Sequence, residues 1–314
     1  MRTNDEIVEY ILRITHEIWE ERLVEKIRDY YADDVVVRSP SGVTRGSQAV
    51  VDSTYATLAE FPDRQLLGED VLTCAGESDQ FSSHRIFSTA THAGTGYFGQ
   101  PTGKSLRYRV IADCAIRDGV IFDEWLVRDF GAITRQLGIQ PRDFASQLVA
   151  AAGGSTREED SRFVGAPAIY RGTGNDDPAG AVLARVAKSL TSGHLLGASE
   201  EIDRAAQFDL PGGLTVVGRS SGATAATEFF SPFVWSDQSI DHVLGCTDSA
   251  RGTRAAVRMT LRGRHARGGM FGSPTDREVA LLAIWHAEFS RAGISRLFLL
   301  VDEVAIWRQV LSSS

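Results

Sequence analysis

The strand-like segment at residues 120–130 carries the side chains best suited to acid/base chemistry. It reads VIFDEWLVRDF, and strand alternation puts Trp125, Val127 and Asp129 on one face. Because an apolar, partly dry surface disfavours a charged carboxylate, we expect a raised pKa for Asp129. Such a group is suited to removing a proton from a carbon next to a carbonyl near neutral pH. The alternative is a strand-end carboxylate that caps a helix or forms a salt bridge.

A second strand-like segment, residues 82–92, aligns His84, Ile86 and His92 on one face. We expect this face to line the same cavity, where His92 would hydrogen-bond a developing enolate oxygen. His92 also lies beside a glycine-rich turn. A structural role, in which His92 hydrogen-bonds to the backbone, is therefore at least as well supported as a chemical one.

Three further motifs resemble nucleotide-binding or hydrolase sites but lack the elements that those sites need. GTGYFG at 94–99 matches the dinucleotide fingerprint, yet it lies between two predicted strands and opens no helix. GKS at 103–105 lacks the leading glycine of a phosphate-binding loop. GRSSG at 218–222 has the context of a nucleophile elbow, but the chain has no room for the large parallel sheet around it. A serine hydrolase based on Ser220 is the least favoured alternative.

Composition excludes several classes of protein. With 43% hydrophobic and 24% charged residues, the 314-residue chain has the balance of a soluble globular protein. A net charge of −8 offers no basic surface for nucleic acid or anionic membranes, and no apolar run is long enough to span a bilayer. The histidines and three cysteines show no metal-binding spacing, so we expect no metal and no cofactor. The odd, scattered cysteines and the acidic, signal-free start favour a cytoplasmic location.

The chain contains the same unit twice. Residues 85–136 and 258–309 align without a gap at an offset of 173, and 16 of the 52 positions are identical. The identical pairs include both candidate acid/base positions, Asp129 with Asp302 and His92 with His265. Since the offset is constant across turns as well as strands, it indicates duplicated domains.

The duplication predicts two domains and a connector. We expect a first domain at 1–140, a linker at 141–178 with a short helix near its start, and a diverged second domain at 179–314. Small, polar and glycine-rich residues characterise the linker.

Each unit shows helical periodicity before a series of strands, which is the α+β order. In the first unit the predicted helices are 7–18 and 48–60 and the predicted strands are 32–37, 68–74, 82–92, 104–117 and 120–130. In the second unit the predicted helices are 179–192, 197–207 and 222–231, with strands at 214–217 and from 239 to 302.

The first unit resembles the SnoaL-like polyketide cyclases, a branch of the NTF2-like superfamily. The most specific segments are TATHAGTGYFGQPTGKSL at 89–106 and RDGVIFDEWLVRDFGAITRQLG at 117–138. The second unit keeps His265, FGSPT and Asp302, but Leu297 and Phe298 stand where the first unit has Glu-Trp.

The resemblance implies cone-shaped α+β barrels, in which a curved antiparallel sheet wraps around helices and encloses a deep apolar pocket. It also implies that the chain is a fused dimer, that is, a monomer whose two domains are arranged as a pseudo-dimer. Whether it assembles further into higher homo-oligomers is left open. The implied activity is that of a cofactor-free cyclase or isomerase acting on a hydrophobic carbonyl compound. The acid/base residues are then Asp129 and Asp302, assisted by His92 and His265.

One departure from the family leaves the role of the second unit open. The penultimate strand of such cyclases carries a polar partner, often histidine, but Ala115 stands at this place in the first unit. The second unit has His286 and Glu288 nearby, and its expected substrate contacts are Trp285 and His286. Either the two pockets have diverged, or only one is active. A non-catalytic protein that holds a small apolar ligand is the alternative to an enzyme.

Overall fold

The first unit starts with helices that cover one face of the sheet formed by its strands. The computed structural model describes residues 3–76, 78–153 and 168–312. The elements of the first unit are α1 (Asn4–Trp19), α2 (Ile27–Tyr30), β1 (Tyr31–Ser39), β2 (Gly42–Arg45), α3 (Ser47–Glu60), β3 (Gln65–Ala75), β4 (Gln80–Thr91), β5 (Ser105–Arg117), β6 (Val120–Arg128) and α4 (Phe130–Leu137). Helix α1 begins in a capping box between Thr3 and Glu6, and its isoleucines recur every three or four residues on the buried side.

The second unit repeats this order. Its elements are α6 (Pro178–Thr191), α7 (Leu195–Ser199), β7 (Ile202–Leu210), β8 (Leu214–Val217), α8 (Arg219–Phe230), β9 (Phe233–Asp248), β10 (Gly252–His265), β11 (Glu278–Ser290), β12 (Gly293–Leu300) and α9 (Glu303–Leu311). The prediction of a helix over 197–207 is wrong, because most of this segment lies in β7 and pairs with β12. Pairing within the sheet overrides the local helix propensity of this alanine-containing segment.

Each unit forms an open six-stranded sheet, so neither is a closed barrel. The strand orders among the described residues are β2-β1-β6-β5-β4-β3 and β8-β7-β12-β11-β10-β9, which are the same topology. The sheets are not wholly antiparallel, since β1 runs parallel to β6 and β7 runs parallel to β12. In the first unit the hairpin between β5 and β6 turns at Asp118-Gly119, where both residues have positive φ.

The two sheets pack against each other through the faces that the helices leave free. The packing is pseudo-symmetric, because equivalent residues make equivalent contacts. Arg85 of the first unit lies 3.7 Å from the ring centre of Phe298, and its counterpart Arg258 lies 3.7 Å from the ring centre of Trp125. The chain is therefore an intramolecular pseudo-dimer.

The predicted linker contains a helix, α5 (Pro141–Ala151), that packs against α9 of the second unit. Residues 154–167 of this linker lie outside the described residues. Beyond them, the backbone N–H groups of Ile169 and Tyr170 donate to Asp123 of the first unit at 2.8 and 3.0 Å. No helix in the described part of the chain is long and apolar enough to cross a membrane.

Candidate active site

A cavity of about 280 Å³ lies in the first unit between helices α1 and α3 and the sheet. A second lobe of about 160 Å³ adjoins it, and the two lobes share Ser41, Thr57, Arg64 and Arg128 in their walls. The larger wall combines aliphatic side chains, from the isoleucines of α1 and the inward side chains of β4 and β5, with serine and threonine hydroxyl groups, several of them on α3. His84 and Ile86 line it, together with the ionisable side chains of Tyr31, Glu124, Arg64 and Arg128.

Strand β6 alternates as its sequence indicates, but the face that meets the cavity carries Glu124, Leu126 and Arg128. The prediction that Trp125 and Val127 line the cavity is wrong. Both lie in the apolar cluster between the two sheets. The sheet has no solvent face at this strand, because helices cover one side and the second unit covers the other. The apolar side chains of β6 therefore do not indicate which of its faces lines the cavity.

Glu124 is the carboxylate inside the cavity. Its side chain is buried, and burial raises its pKa from 4.5 to about 7. A hydrogen bond with Tyr31 and the positive charge of Arg128 oppose this rise. A carboxyl group with a pKa near neutrality exchanges protons readily at physiological pH, as a general acid or base must.

His84 is a neutral imidazole in the wall of the same cavity. Burial, helped by the charge of Arg85, lowers its pKa to about 3, so it carries no charge near neutral pH. Its Nε2 has no hydrogen-bond partner within the described residues. A Cβ at Gly68 would lie 3.0 Å from this nitrogen, so the glycine gives the ring its space. A neutral imidazole can donate one hydrogen bond to a substrate oxygen.

Two guanidinium groups complete the polar wall. Arg64 lies 4.4 Å from the ring centre of Trp19 and 5.7 Å from that of Tyr108, and its Nε donates to Ser88 Oγ at 3.3 Å. Burial and the charge of Arg64 lower the pKa of Arg128 to about 10, so Arg128 stays a cation at neutral pH. Together they make a positively charged edge where the two lobes meet.

Asp129 does not face this cavity, contrary to the prediction. It is the N-cap of α4 and accepts hydrogen bonds from the backbone N–H groups of Ala132, Gly212 and Gly213 at 2.9, 2.9 and 3.0 Å. Two of these donors belong to the second unit, and Asp129 borders a separate cleft between the units. Burial raises its pKa to about 6, although these N–H groups favour the charged form. Its contacts are those of a carboxylate that caps a helix and holds the two units together.

Asp302 has the equivalent place in the second unit. It is the N-cap of α9 and accepts from Ala305 N at 3.1 Å. Burial raises its pKa to about 7, and the nearby charge of Asp129 adds to the rise. Burial thus raises the pKa of both aspartates, but both side chains cap helices.

His92 and His265 hold strand ends to the turns that follow. The Nδ1 of His92 lies 3.1 Å from Thr102 Oγ1, and His265 makes the same contact with Thr275 at 3.1 Å. The Nε2 of His92 lies 3.2 Å from Glu60, while His265 Nε2 has no described partner and burial lowers the pKa of this histidine. Neither histidine lines the 280 Å³ cavity.

Trp285 and His286 do not form a second pocket of the predicted kind. Trp285 is fully buried inside the second unit and stacks on Phe230 with 6.1 Å between ring centres. In the repeat alignment it stands at the position of Ala112, which lines the cavity of the first unit. His286 points the other way, between the sheets, where its Nε2 lies 2.8 Å from Ser83 Oγ.

The sequence contained a signal that identifies the missed residues. At the offset of 173, the polar cavity residues of the first unit align with apolar ones in the second: His84 with Val257, Glu124 with Leu297, and Arg128 with Val301. All three replacements are buried. Polar residues that a duplicated copy of the same fold replaces with apolar ones are not required by the fold. Comparing the two units, and not only the shared residues, points to Glu124 and Arg128.

The first unit is similar in sequence to a known protein family. Residues 9–137 match the family described as SnoaL-like polyketide cyclase. The first unit is therefore similar to this family over most of its length. Among solved structures, wild-type IdmH, a putative polyketide cyclase from Streptomyces antibioticus, is 22% identical, with 42% of this chain and 98% of that chain covered and a TM-score of 0.37. AclR, a putative hydroxylase from Streptomyces galilaeus, is 25% identical, with 43% and 98% covered and a TM-score of 0.38.

A third solved structure, a putative SnoaL-like polyketide cyclase from Jannaschia sp. CCS1, is 16% identical, with 43% of this chain and 95% of that chain covered and a TM-score of 0.38. No curated protein matches the chain.

Proposed function

We propose that the first unit is a cofactor-independent cyclase or isomerase of a hydrophobic carbonyl compound. Glu124 is the acid/base residue in this proposal, in place of the aspartates that the sequence suggested. The observation that carries the proposal is a carboxyl group with a pKa of about 7 in a partly aliphatic cavity that is also lined by the neutral His84, whose Nε2 has no partner among the described residues. The SnoaL-like character of residues 9–137 supports a reaction of the cyclase type.

The proposed reaction begins with proton transfer from carbon. The carboxylate of Glu124 takes a proton from the carbon next to a substrate carbonyl, and the electrons of the broken C–H bond move onto the carbonyl oxygen. An N–H of His84 donates a hydrogen bond to the resulting enolate oxygen, where the negative charge develops. The hydrogen bond from Tyr31 holds the Glu124 carboxyl group in one orientation.

Ring closure follows inside the same cavity. The enolate carbon attacks a second carbonyl of the same molecule, a new C–C bond forms, and the alkoxide takes the proton back from Glu124. The aliphatic walls favour a folded substrate, so the two carbons meet without the entropy cost of a collision in solution. An isomerase would use only the proton removal and a return of the proton to another carbon.

Exchange of carbon-bound protons tests the proposal without knowledge of the natural substrate. The probe is 2-tetralone, a bicyclic ketone, incubated in D₂O with the full-length protein and followed by proton NMR. We expect accelerated loss of the α-proton signal, a decrease of about 10²–10⁴-fold in Glu124→Gln, and retention of exchange in Asp129→Asn. Exchange that survives E124Q but disappears in D129N would return the role of base to Asp129. Binding of 2-tetralone with no exchange would favour the non-catalytic ligand-binding alternative.

A further inference from the structure

The two arginines of the cavity lie where a ligand would touch both lobes. Arg64 and Arg128 line the larger lobe and the smaller one, whereas His84 and Glu124 line only the larger. A ligand that extends from the reactive pair into the smaller lobe would therefore pass the two guanidinium groups.

Neither guanidinium group is paired directly with a described carboxylate, although the negative charges of Glu124 and Asp302 act on Arg128. Within the described parts of the chain, no carboxylate oxygen lies within 4.0 Å of the guanidinium nitrogens of Arg64 or Arg128. Burying two positive charges together without a counter-ion is unfavourable, and the lowered pKa of Arg128 reflects this cost. The site therefore has positive charge that an anionic ligand could pair with.

The acidic groups nearest to the arginines are engaged elsewhere. Glu60 faces the smaller lobe, but its two oxygens accept from the backbone N–H groups of Tyr97 and Phe98 at 2.9 and 2.7 Å. Glu124 is hydrogen-bonded to Tyr31. The charge of Asp302 also acts on Arg128, but the carboxylate of Asp302 caps α9. These contacts leave the guanidinium donors available to a ligand.

The fold does not require the second positive charge. Val301 occupies the position of Arg128 in the second unit and is buried, although the strands around it have the same topology. The guanidinium carbon of Arg64 lies 4.4 Å from the ring centre of Trp19 and 5.7 Å from that of Tyr108, and the guanidinium group itself is a planar fork of N–H donors. Such a fork matches the two oxygens of a carboxylate.

We propose that Arg64 and Arg128 form an anion subsite, and that the ligand of the first unit is an acid: a hydrophobic carbonyl compound that also carries a carboxylate. The inference that the ligand has a reactive carbonyl rests on the proposed function, whereas the inference of an anion subsite does not. The carboxylate lies at the junction of the two lobes, and the carbonyl lies beside Glu124 and His84.

Direct binding measurements separate the charge of the ligand from its shape. The probes are 2-naphthoate and its methyl ester, titrated into the full-length protein at pH 7 by isothermal titration calorimetry. We expect the acid to bind at least tenfold more tightly than the ester. Equal affinity for the two probes would overturn the proposal, and this comparison does not depend on whether any variant folds.

Variants then assign the preference to the two arginines. Arg128→Gln should weaken binding of 2-naphthoate about tenfold and leave the ester unchanged, and Arg64→Gln should act in the same direction. Arg45→Gln, at an exposed arginine of β2, is the matched control and should bind both probes as the wild type does. An acid preference that persists when both cavity arginines are replaced would refute the assignment.

The outcomes also separate this inference from the proposed function. A protein that prefers the acid but does not exchange the protons of 2-tetralone has the anion subsite and lacks the chemistry. A protein that exchanges these protons but binds acid and ester equally has the chemistry and lacks the subsite.

Discussion

Replacing Glu124 by Gln should stabilise the protein at alkaline pH while it removes the proposed activity. Burial raises the pKa of Glu124 from 4.5 to about 7, so the native state holds this proton more tightly than the unfolded chain does. The contribution of this protonated carboxyl group to the free energy of unfolding is complete below pH 4.5 and is lost as the pH rises through about 7. A shift of this size corresponds to about 3 kcal/mol of unfolding free energy. Gln remains neutral, can still accept the Tyr31 hydrogen bond, and does not lose this contribution.

The measurement is urea-induced unfolding of wild type and E124Q at pH 5 and pH 8, followed by circular dichroism. The free energy of unfolding of E124Q minus that of wild type should increase from pH 5 to pH 8 by up to about 3 kcal/mol. Asp129 and Asp302 titrate in both proteins and cancel in the difference. Glu9→Gln, at an exposed position of α1, is the control and should show no such increase. A difference between E124Q and wild type that stays constant from pH 5 to pH 8 would refute the buried-carboxylate reasoning.

Three further substitutions separate the cavity from the structural parts of the molecule. Ala112→Trp copies Trp285 into the first unit, so it should fill the cavity and abolish binding of 2-naphthoate and exchange of 2-tetralone, while urea unfolding remains cooperative. Trp285→Ala should cost about 3–5 kcal/mol in urea unfolding, because it leaves a large void in a packed interior, and proton exchange should persist below the unfolding transition. Asp129→Asn should cost about 2–3 kcal/mol, because the amide group must face backbone N–H donors, and exchange by the folded protein should again persist.

The repeat and the order of the elements were legible in the sequence because both depend on local patterns. The isoleucines of α1 and the alternation along β6 follow from backbone geometry, which makes them independent of what packs around them. Where the sequence reasoning failed, the answer depended on distant parts of the chain. The helix predicted over 197–207 is mostly a strand because β12 lies beside it.

The orientation of β6 failed for a similar reason. Trp125 and Glu124 occupy opposite faces, as alternation requires, and the usual rule assigns the apolar face to the interior. Here both faces are interior. The partner sheet takes the tryptophan, and Arg258 packs over its ring. The helices enclose the carboxylate. Which face holds the cavity follows only from what covers each side of the sheet.

The two units differ in how their interiors are filled. The first unit places the buried Glu124 and His84 and the half-buried Arg128 around an open volume, and each of these features costs folding free energy. The second unit places leucine, valine and tryptophan at the corresponding interior positions, where the same fold is packed with apolar side chains. The two sheets share one apolar cluster, which includes Trp125 and Leu300 from opposite units. Because unfolding of the first unit would expose this shared surface, the filled unit helps to stabilise the unit that keeps its cavity.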